Sequence, residues 1–506
     1  MERSGIGDTL KMMKLFKRFF LIITFVLASG CATSKYVAFP DSDPASTEKK
    51  ILYDVNGNGI SDFALCSDAN GDMSMLAYDD DEDGRYERIY NINDYDSDKV
   101  PHLIILLDSI PYQCVADKYL AGHFKWFPPP QKVIAPFPSL TDVVYNRLLH
   151  VPPRAGTNNH FYDHRSNDMS SSYWDQMNGG KQPWQLYLDY STSFINMGLG
   201  FMEPRKIFGE ELGRIKQAFD QNPNRLTMVY DSSSAGMVCK FGRQGANECL
   251  DKVERLCLQL LWERQGAIKI SIMADHGHNL MKSKFISLQK ILRDAGFTVG
   301  NKIESKTDIV IDTEGLVTYV GIHTLDPSVV ADILLKLPQT ELALYMQGER
   351  VIVRNASGAA AIEKKRGKLR YVPIDCDVLG YQPVIDTLKK SGKIDAQGFA
   401  TDEVWFEATV DHEFPDAPPQ IWEAFHGIVV CMPDLMVTLQ DGYHNGFTLF
   451  ESFIDMASTH GGLNQINTAT FLLSMTGLAN RPLRTCDVLK TIEPDYVPAA
   501  RCLREN

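Results

Sequence analysis

The chain lacks an excess of basic residues, lacks a CxxC pair and, after its first thirty residues, lacks any apolar run of membrane-spanning length. Its 51 lysines and arginines face 64 aspartates and glutamates, and the net charge of −13 argues against a nucleic acid as partner, because phosphate backbones bind to basic surfaces. Ten cysteines without a CxxC pair argue against a zinc ribbon and leave any disulfide pairing open. We expect no membrane-spanning helix in the body of the protein.

The N-terminal residues resemble the export signal of a bacterial lipoprotein. Basic residues precede an apolar run, Phe19–Ala28, that is too short to span a bilayer. The run leads into Leu27-Ala-Ser-Gly-Cys31, which resembles a lipobox; an ordinary cleaved signal with a chance cysteine is the alternative. The resemblance implies a signal peptide at residues 1–30, lipidation of Cys31 and a tether at residues 31–50. We therefore expect a cell-envelope protein, periplasmic or at the outer membrane, held to the membrane by its lipid alone.

Residues 51–98 contain three acidic loops, which begin at Asp54, Asp68 and Asp79 and are thus 14 and 11 residues apart. Oxygen-bearing side chains at alternate positions, followed by glycine, resemble the first half of an EF-hand loop. The closing glutamate of that loop is missing, and the segments between the loops alternate as strands do. The pattern predicts a small β-rich module stapled by calcium, with a solvated acidic linker as the alternative. The predicted calcium ligands are Asp54, Asn56, Asn58, Asp62, Asp79, Asp81, Asp83 and Glu87.

From residue 99 onward, apolar strands alternate with amphipathic helices. Two apolar runs, His102–Leu107 and Ile268–Ala274, each lead directly into an aspartate. Buried parallel strands have this form when their carboxyl ends face a site. The helical stretches Gly209–Phe219 and Glu248–Glu263 lie between the two runs. The alternation predicts an α/β fold with a mostly parallel central sheet and helices on both faces.

Four motifs in order resemble those of the alkaline phosphatase superfamily, closest to its phosphodiesterase-like and nucleotide-pyrophosphatase-like branch. They are the strand-end Asp108, Phe137-Pro-Ser-Leu-Thr141, Asp275-His-Gly277 and Thr459-His-Gly461. The resemblance extends over nearly all of residues 100–490. It implies an alkaline-phosphatase-like core at residues 99–296 and 401–495 and a cap insertion at residues 297–400.

The resemblance also implies a reaction, the metal-dependent hydrolysis of a small phosphomonoester or phosphodiester through a threonine nucleophile. Zinc ions would stabilise the attacking and leaving oxygens. Thr141 stands where the family has its reactive threonine, and Ser139 and Ser109 are rival nucleophiles. The implied zinc ligands are Asp108, Asp275 and His276 for the ion beside the nucleophile and His460 for a second ion.

One segment departs from the family's pattern. Where the family has an aspartate and a histidine that both bind the second metal, this sequence has Ala235 and Cys239. Alanine cannot bind zinc, whereas Cys239 can do so as a thiolate. The second site is incomplete unless Asp231 or His278 contributes. Two hypotheses stay open: a hydrolase with one metal or an altered pair, and a zinc-site-degenerate pseudoenzyme that serves as a binding or structural lipoprotein.

The sequence contains two further groups of polar residues outside these motifs, one of histidines with an aspartate and one of basic residues. His160, Asp163 and His164 lie close together, but no companion ligand is evident, so the sequence predicts a polar loop there. The predicted cap contains a locally basic stretch, Lys364–Arg370, in an otherwise acidic protein. That stretch is either an attraction for an anionic substrate or a solvated hairpin.

Overall fold

The structure is a computed structural model that describes residues 39–171, 180–222, 224–312, 316–446, 455–477 and 481–496. The predicted signal peptide and Cys31 lie outside the described residues. Within those ranges, no helix combines the length and the apolar character that crossing a membrane requires. Eight cysteines lie in the described ranges, and each of them is a free thiol.

The strands are named in chain order. They are β1 Lys50–Tyr53, β2 Phe63–Ser67, β3 Met73–Tyr78, β4 Arg88–Asn91, β5 His102–Leu107, β6 Gln131–Ile134, β7 His160–Asp163, β8 Asp168–Ser171, β9 Tyr190–Ser191, β10 Leu226–Asp231, β11 Lys269–Ala274, β12 Lys284–Phe285, β13 Thr298–Val299, β14 Asp308–Asp312, β15 Leu316–Val317, β16 Tyr319–His323, β17 Thr340–Gln347, β18 Arg350–Asn355, β19 Gly358–Lys365, β20 Lys368–Pro373, β21 Leu435–Leu439, β22 Tyr443–Gly446, β23 Ala469–Ser474 and β24 Leu483–Arg484.

The helices are named in the same way, and the longest of them bends at Gly242, whose backbone has a positive φ of 56°. They are α1 Tyr112–Leu120, α2 Thr141–Leu148, α3 Phe194–Met202, α4 Pro204–Gln221, α5 Ser233–Glu263, α6 Leu288–Asp294, α7 Pro327–Leu334, α8 Gln382–Lys390, α9 Asp402–Thr409, α10 Ala417–Ala424, α11 Gln465–Thr468 and α12 Thr485–Ile492.

A seven-stranded sheet in the order β24-β6-β23-β11-β5-β10-β9 forms the centre of the fold. The central strand β5 is parallel to both of its neighbours, β10 and β11, and only β23 runs against its neighbours. Every residue of β5 and β11 is buried, as expected for apolar strands covered on both faces. Side chains from α2 and α12 pack on one face of the sheet. The predicted α/β class is confirmed.

A second sheet of eight strands, in the order β13-β14-β16-β21-β17-β18-β19-β20, is almost entirely antiparallel. Its hydrophobic residues pack against α6 and α7 on one side and against α8, α9 and α10 on the other. β21 follows the predicted cap in sequence, yet it pairs with both β16 and β17 in the middle of this sheet. The basic stretch Lys364–Arg370 forms the turn and adjoining ends of the β19–β20 hairpin, and Lys364, Lys365, Arg366 and Lys368 are exposed.

Four antiparallel strands in the order β1-β2-β3-β4 form a small sheet near the N-terminus of the described chain. The three acidic loops connect these strands, so the β-rich character predicted for this segment is confirmed. The sheet contacts the C-terminal end of α5, where the Tyr78 hydroxyl donates a hydrogen bond to the carbonyl oxygen of Trp262 at 2.8 Å. The sheet is therefore packed against the central domain through an aromatic surface that includes Phe39 and Phe63.

Candidate active site

Asp108 and Asp275 follow β5 and β11, and because these strands are parallel their carboxylates meet at one edge of the sheet. Ala274 pairs with Leu107 in the strand register, which places the two following aspartates side by side. Asp275 Oδ1 accepts hydrogen bonds from the backbone N–H of Ser109 at 2.9 Å and from that of His276 at 2.8 Å. One ligand atom from each of Asp108, Asp275 and His276 lies within 4.8 Å of the other two. We call these three residues the carboxylate–histidine cluster.

Two buried atoms of this cluster have no hydrogen-bond partner among the residues that the structure describes: Asp275 Oδ2 and His276 Nε2, which are 3.3 Å apart. The Nδ1 of His276 lies 3.0 Å from the carbonyl oxygen of Gly277 and donates to it, so Nε2 carries the lone pair. Burial lowers the pKa of His276 to about 4, and the ring is neutral at neutral pH. A neutral imidazole nitrogen beside carboxylate oxygens is a donor set that zinc accepts. The cluster therefore fits a zinc ion.

Gly277 holds the histidine of the cluster in position. Its backbone N–H donates to the carbonyl oxygen of Asn467 at 3.0 Å. A Cβ atom at this position would lie 2.2 Å from the carbonyl oxygen of Ile466, which no side chain tolerates. Glycine is thus the residue that allows the end of β11 to approach α11 so closely.

The carboxylates of Asp108 and Asp275 are close, buried and of like charge. Burial raises the pKa of both groups, and the charge of Asp275 raises that of Asp108 further. Asp108 Oδ2 accepts a hydrogen bond from the Tyr230 hydroxyl at 2.8 Å, and Oδ1 accepts one from the Ser109 hydroxyl at 2.6 Å. A divalent cation between the carboxylates would stabilise their charged forms.

Thr141 is the first residue of α2, and its side chain lies against the cluster. Its hydroxyl oxygen is 3.4 Å from Asp108 Oδ2, and the side chain is partly exposed. The first turn of a helix presents backbone N–H groups and the positive end of the helix dipole, which favours a negative charge there. The rival nucleophiles are fully buried and their hydroxyls are engaged, Ser109 with Asp108 and Ser139 with the carbonyl oxygen of Gly462 at 3.0 Å.

The predicted second-metal residues His460 and Cys239 lie next to the cluster. The His460 ring stacks on that of His276, with ring centres 3.9 Å apart, and its Nδ1 donates to the carbonyl oxygen of Ser139. His278 lies between His460 and Cys239: its ring centre is 5.0 Å from that of His460, and its Nε2 is 3.8 Å from Cys239 Sγ. Of the two extra ligands that the sequence suggested, His278 is the one that reaches this region.

Asp231, the other suggested ligand, faces the start of α5. Its carboxylate accepts hydrogen bonds from the backbone N–H groups of Ser233 at 3.1 Å and Ser234 at 3.0 Å.

Burial raises the pKa of the Cys239 thiol, which opposes formation of the thiolate that zinc requires. Among the described residues, Cys239, His278 and His460 do not bring one ligand atom each to within 4.8 Å of the other two. The residues present do not fit a second zinc ion of the kind that the resemblance in sequence implies.

Tyr230 contacts the carboxylate–histidine cluster, although the sequence alone gave it no role. It lies on β10, where it pairs in register with Leu106 of β5, and this brings its hydroxyl to Asp108. A tyrosine at the end of an apolar run is ordinary core sequence. In the sequence Tyr230 is the first residue of the segment that contains Ala235 and Cys239, but only the register of β10 against β5 shows that its hydroxyl reaches a carboxylate at the end of the neighbouring strand.

In the first and third acidic loops the leading aspartate accepts hydrogen bonds from backbone N–H groups of its own loop, but the two loops differ in how many acidic ligand atoms they bring together. In the third loop, ligand atoms of Asp79, Asp81, Asp83 and Glu87 lie within 4.8 Å of one another. In the first loop, Asp54 accepts hydrogen bonds from backbone N–H groups that include that of Gly57, and Asp62 accepts them from Val55 and Asn56. The side-chain amides of Asn56 and Asn58 donate to Glu82 at 2.7 Å. The third loop is thus the one that gathers four acidic ligands.

Comparisons with known proteins give likenesses among solved structures. No protein-family model and no curated protein sequence matches the chain. Human ectonucleotide pyrophosphatase/phosphodiesterase 5 aligns at 11% identity and a TM-score of 0.43, over 77% of this chain and 92% of that one. The murine protein aligns at 10% identity and a TM-score of 0.41, over the same shares of the two chains. Phosphonoacetate hydrolase from Sinorhizobium meliloti, in complex with phosphonoformate, aligns at 13% identity and a TM-score of 0.40, over 77% and 94%. Likenesses of this degree carry no functional argument, which rests on the geometry of the site.

Proposed function

We propose that the protein is a metal-dependent hydrolase of small phosphoesters, of the phosphodiesterase-like branch of the alkaline phosphatase superfamily, with Thr141 as its nucleophile. One observation carries the proposal: the Thr141 hydroxyl lies 3.4 Å from Asp108 Oδ2, in contact with a buried cluster that retains an unpartnered carboxylate oxygen and imidazole nitrogen. A nucleophile, a proton acceptor and the donors for a cation are therefore adjacent.

Asp108, Asp275 and His276 are the residues that would hold the ion. A bound zinc ion supplies Lewis-acid stabilisation of phosphoryl oxygens and makes a nearby hydroxyl more acidic. The Thr141 oxygen bonds to phosphorus, the bond from phosphorus to the leaving alkoxide breaks, and the hydroxyl proton is in place to pass to Asp108 Oδ2. Water then attacks phosphorus, which frees Thr141 and releases the phosphoryl group as phosphate or a phosphomonoester.

A second candidate function is a binding or structural role without catalysis, and Ala235 favours it. Ala235, in the first turn of α5, provides no carboxylate, and the carboxylate of the nearby Asp231 accepts hydrogen bonds from backbone N–H groups at the start of that helix. A phosphoryl group bound at this edge would then lack the second cation that stabilises a leaving oxygen.

Hydrolysis of nitrophenyl phosphomonoesters and phosphodiesters distinguishes the two candidates. We expect the purified chain to release nitrophenolate, to lose this activity after dialysis against a chelator, and to regain it with zinc but not with calcium, because nitrogen-containing sites favour zinc. The measurement is the absorbance of nitrophenolate over time. A zinc-loaded protein that hydrolyses neither class of ester supports the binding role and contradicts the hydrolase.

We propose further that Cys31 is lipidated and anchors the protein in the cell envelope. In a bacterial host, the wild-type chain is expected to incorporate labelled fatty acid and to sediment with membranes, because multiple acyl chains give stable anchoring. Cys31→Ser is expected to lose the label and to move to the soluble fraction, whereas Cys66→Ser keeps both properties. Membrane association of Cys31→Ser equal to that of the wild type would disprove the anchor.

For the third acidic loop we propose calcium binding through Asp79, Asp81, Asp83 and Glu87. Calcium at about 100 times its dissociation constant should raise the free energy of unfolding by about 2.7 kcal/mol, since only the folded loop gathers the four carboxylates. Calorimetric titration followed by denaturant unfolding measures both quantities. The triple variant Asp79→Asn, Asp81→Asn, Asp83→Asn should lose the effect, and Asp94→Asn, outside the loops, should keep it. Equal stabilisation of both variants would rule out this site.

A further inference from the structure

Three residues distant in sequence meet at one end of the second sheet. His323 is the last residue of β16, and Asp434 directly precedes β21, whose Leu435 pairs with Ile322 of β16. The strand register therefore brings Asp434 beside His323. His164 follows β7 in the turn of the β7–β8 hairpin. A ring nitrogen of each histidine and a carboxylate oxygen of Asp434 all lie within 4.8 Å of one another.

His323 is fully buried, and one of its ring nitrogens is left over. Its Nε2 lies 3.1 Å from Asp312 Oδ1, while its Nδ1 has no hydrogen-bond partner among the described residues. A carboxylate only accepts hydrogen bonds, so Nε2 carries the proton and Nδ1 carries a lone pair. A histidine whose second nitrogen is fixed by a carboxylate is the usual form of a metal-binding histidine. A cation at the cluster would give the buried Nδ1 its partner.

The other two side chains are oriented by backbone groups and each keeps a free ligand atom. His164 Nε2 lies 3.2 Å from the carbonyl oxygen of Met432 and donates to it, which leaves Nδ1 with a lone pair. Asp434 Oδ2 accepts a hydrogen bond from the backbone N–H of Thr324 at 3.0 Å, and no hydrogen bond to Oδ1 is present among the described residues. The rings of His164 and His323 are 5.0 Å apart and face each other edge to face. Two imidazole nitrogens and one carboxylate oxygen form a ligand set that binds zinc in preference to calcium or magnesium.

A second group of residues has similar spacing, but its ligand atoms are already engaged with other side chains. His123, Asp251 and Glu254 also have ligand atoms within 4.8 Å of one another. There, however, His123 Nδ1 is hydrogen-bonded to Glu254 at 2.6 Å, and Asp251 forms an ion pair with Lys118. That group is a satisfied ion-pair network, whereas the group around His323 retains a buried lone pair.

We propose that His164, His323 and Asp434 form a zinc-binding site separate from the carboxylate–histidine cluster, with which they share no residue. The ion joins the β7–β8 hairpin to the second sheet. Hydrogen bonds already attach the hairpin to this part of the fold: the backbone N–H of Tyr162 donates to Asp312 Oδ1 at 3.1 Å, and Asn167 exchanges hydrogen bonds with the backbone of Ile303. Asp312 thus orients His323 and fixes the hairpin that carries His164. Three protein ligands leave the fourth position of a tetrahedral ion open to water or to a ligand from solution.

The test is the number of zinc ions that the full chain binds, measured by calorimetric titration after chelator treatment and in the presence of calcium to occupy the acidic loops. His164→Ala is expected to bind one zinc ion fewer than the wild type, and Asp434→Asn to lose the same ion. The double variant should lose no more than either single variant, because both residues hold one ion. His426→Ala, another exposed histidine, should bind as many ions as the wild type.

Cobalt gives a second measurement that does not depend on activity. Cobalt bound to the wild type should show visible absorption bands that weaken in His164→Ala, while phosphoester hydrolysis by the reloaded variant remains. Unchanged zinc stoichiometry in His164→Ala overturns the proposal, and so does loss in His164→Ala without loss in Asp434→Asn. The number of zinc ions bound at this site is measured without a substrate. Absence of the proposed hydrolase activity would therefore leave this test unaffected.

Discussion

Thr141→Ala is expected to lower the kcat of nitrophenyl phosphoester hydrolysis by at least about 1,000-fold, because removal of a nucleophile leaves only the catalysis that comes from binding and electrostatics. Thr141 is partly exposed at the first position of α2, and alanine is well tolerated in helices, so the variant should fold. Steady-state kinetics of the zinc-loaded variant measures the effect. Its KM should change little, because the methyl group of alanine leaves the space for the phosphoryl group open.

Two matched variants decide whether the hydroxyl at this position is the one that reacts. Thr141→Ser keeps a hydroxyl in the same place and is expected to retain most of the activity. Ser139→Ala removes a hydroxyl that is engaged with the carbonyl oxygen of Gly462, and it should affect stability more than kcat. Wild-type kcat in Thr141→Ala would refute the assignment, and loss of activity in Ser109→Ala together with such a result would transfer the role to Ser109.

Asp275→Asn is expected to remove one zinc ion and the phosphoester hydrolase activity together. Asparagine keeps an oxygen that can accept the backbone hydrogen bonds from Ser109 and His276, but it loses the charge that attracts the cation. We expect zinc affinity at this site to fall by more than about 100-fold, since even partners that merely orient ligands contribute about 10- to 100-fold. Calorimetric titration of the chelator-treated protein measures the loss.

The stability of the metal-free protein separates loss of the ion from loss of the fold. Asp108 and Asp275 are buried carboxylates whose like charges oppose each other, and asparagine at position 275 removes that repulsion. The metal-free variant should therefore unfold at a temperature equal to or above that of the metal-free wild type. Cys239→Ser serves as a control that should keep the same number of zinc ions. Full zinc binding by Asp275→Asn would show that the cluster is not the metal site.

The strands that support the site could be predicted from the sequence because their side chains are apolar without interruption. A strand buried on both faces needs no polar residue, so β5 and β11 stand out, and the acids that end them mark the edge of the sheet. β19 could not be predicted in this way, because its first half lacks large apolar residues. It begins Gly358-Ala-Ala-Ala, and small residues with low strand propensity give no signal until they pair with β18 and β20.

Side-chain direction could not be read from the sequence. Asp231 and His278 were equal alternatives for completing a second metal site. The structure uses Asp231 to bind the first turn of α5 and turns His278 toward Cys239. The choice depends on which unpaired backbone groups each side chain meets, and those groups come from elements far away in the chain.

The cluster around His323 shows the same limit in another form. His164 looked like part of a polar loop, because its companions His323 and Asp434 lie more than 150 residues further along the chain. The pairing of β16 with β21 and the attachment of the hairpin through Tyr162 and Asn167 bring the three together. Ligands contributed by separate strands have no fixed spacing in sequence.

The sequence by itself determined the α/β class, the strand-end position of Asp108 and Asp275, and the β-rich character of the acidic N-terminal segment. These features follow from local periodicity and from the rule that parallel strands end at a common edge. Only the tertiary structure decided which hydroxyl lies beside the carboxylates, which suggested ligand faces away, and which histidines converge on the second sheet. Local patterns encode burial and secondary structure, whereas convergence depends on strand register and packing between residues far apart in sequence.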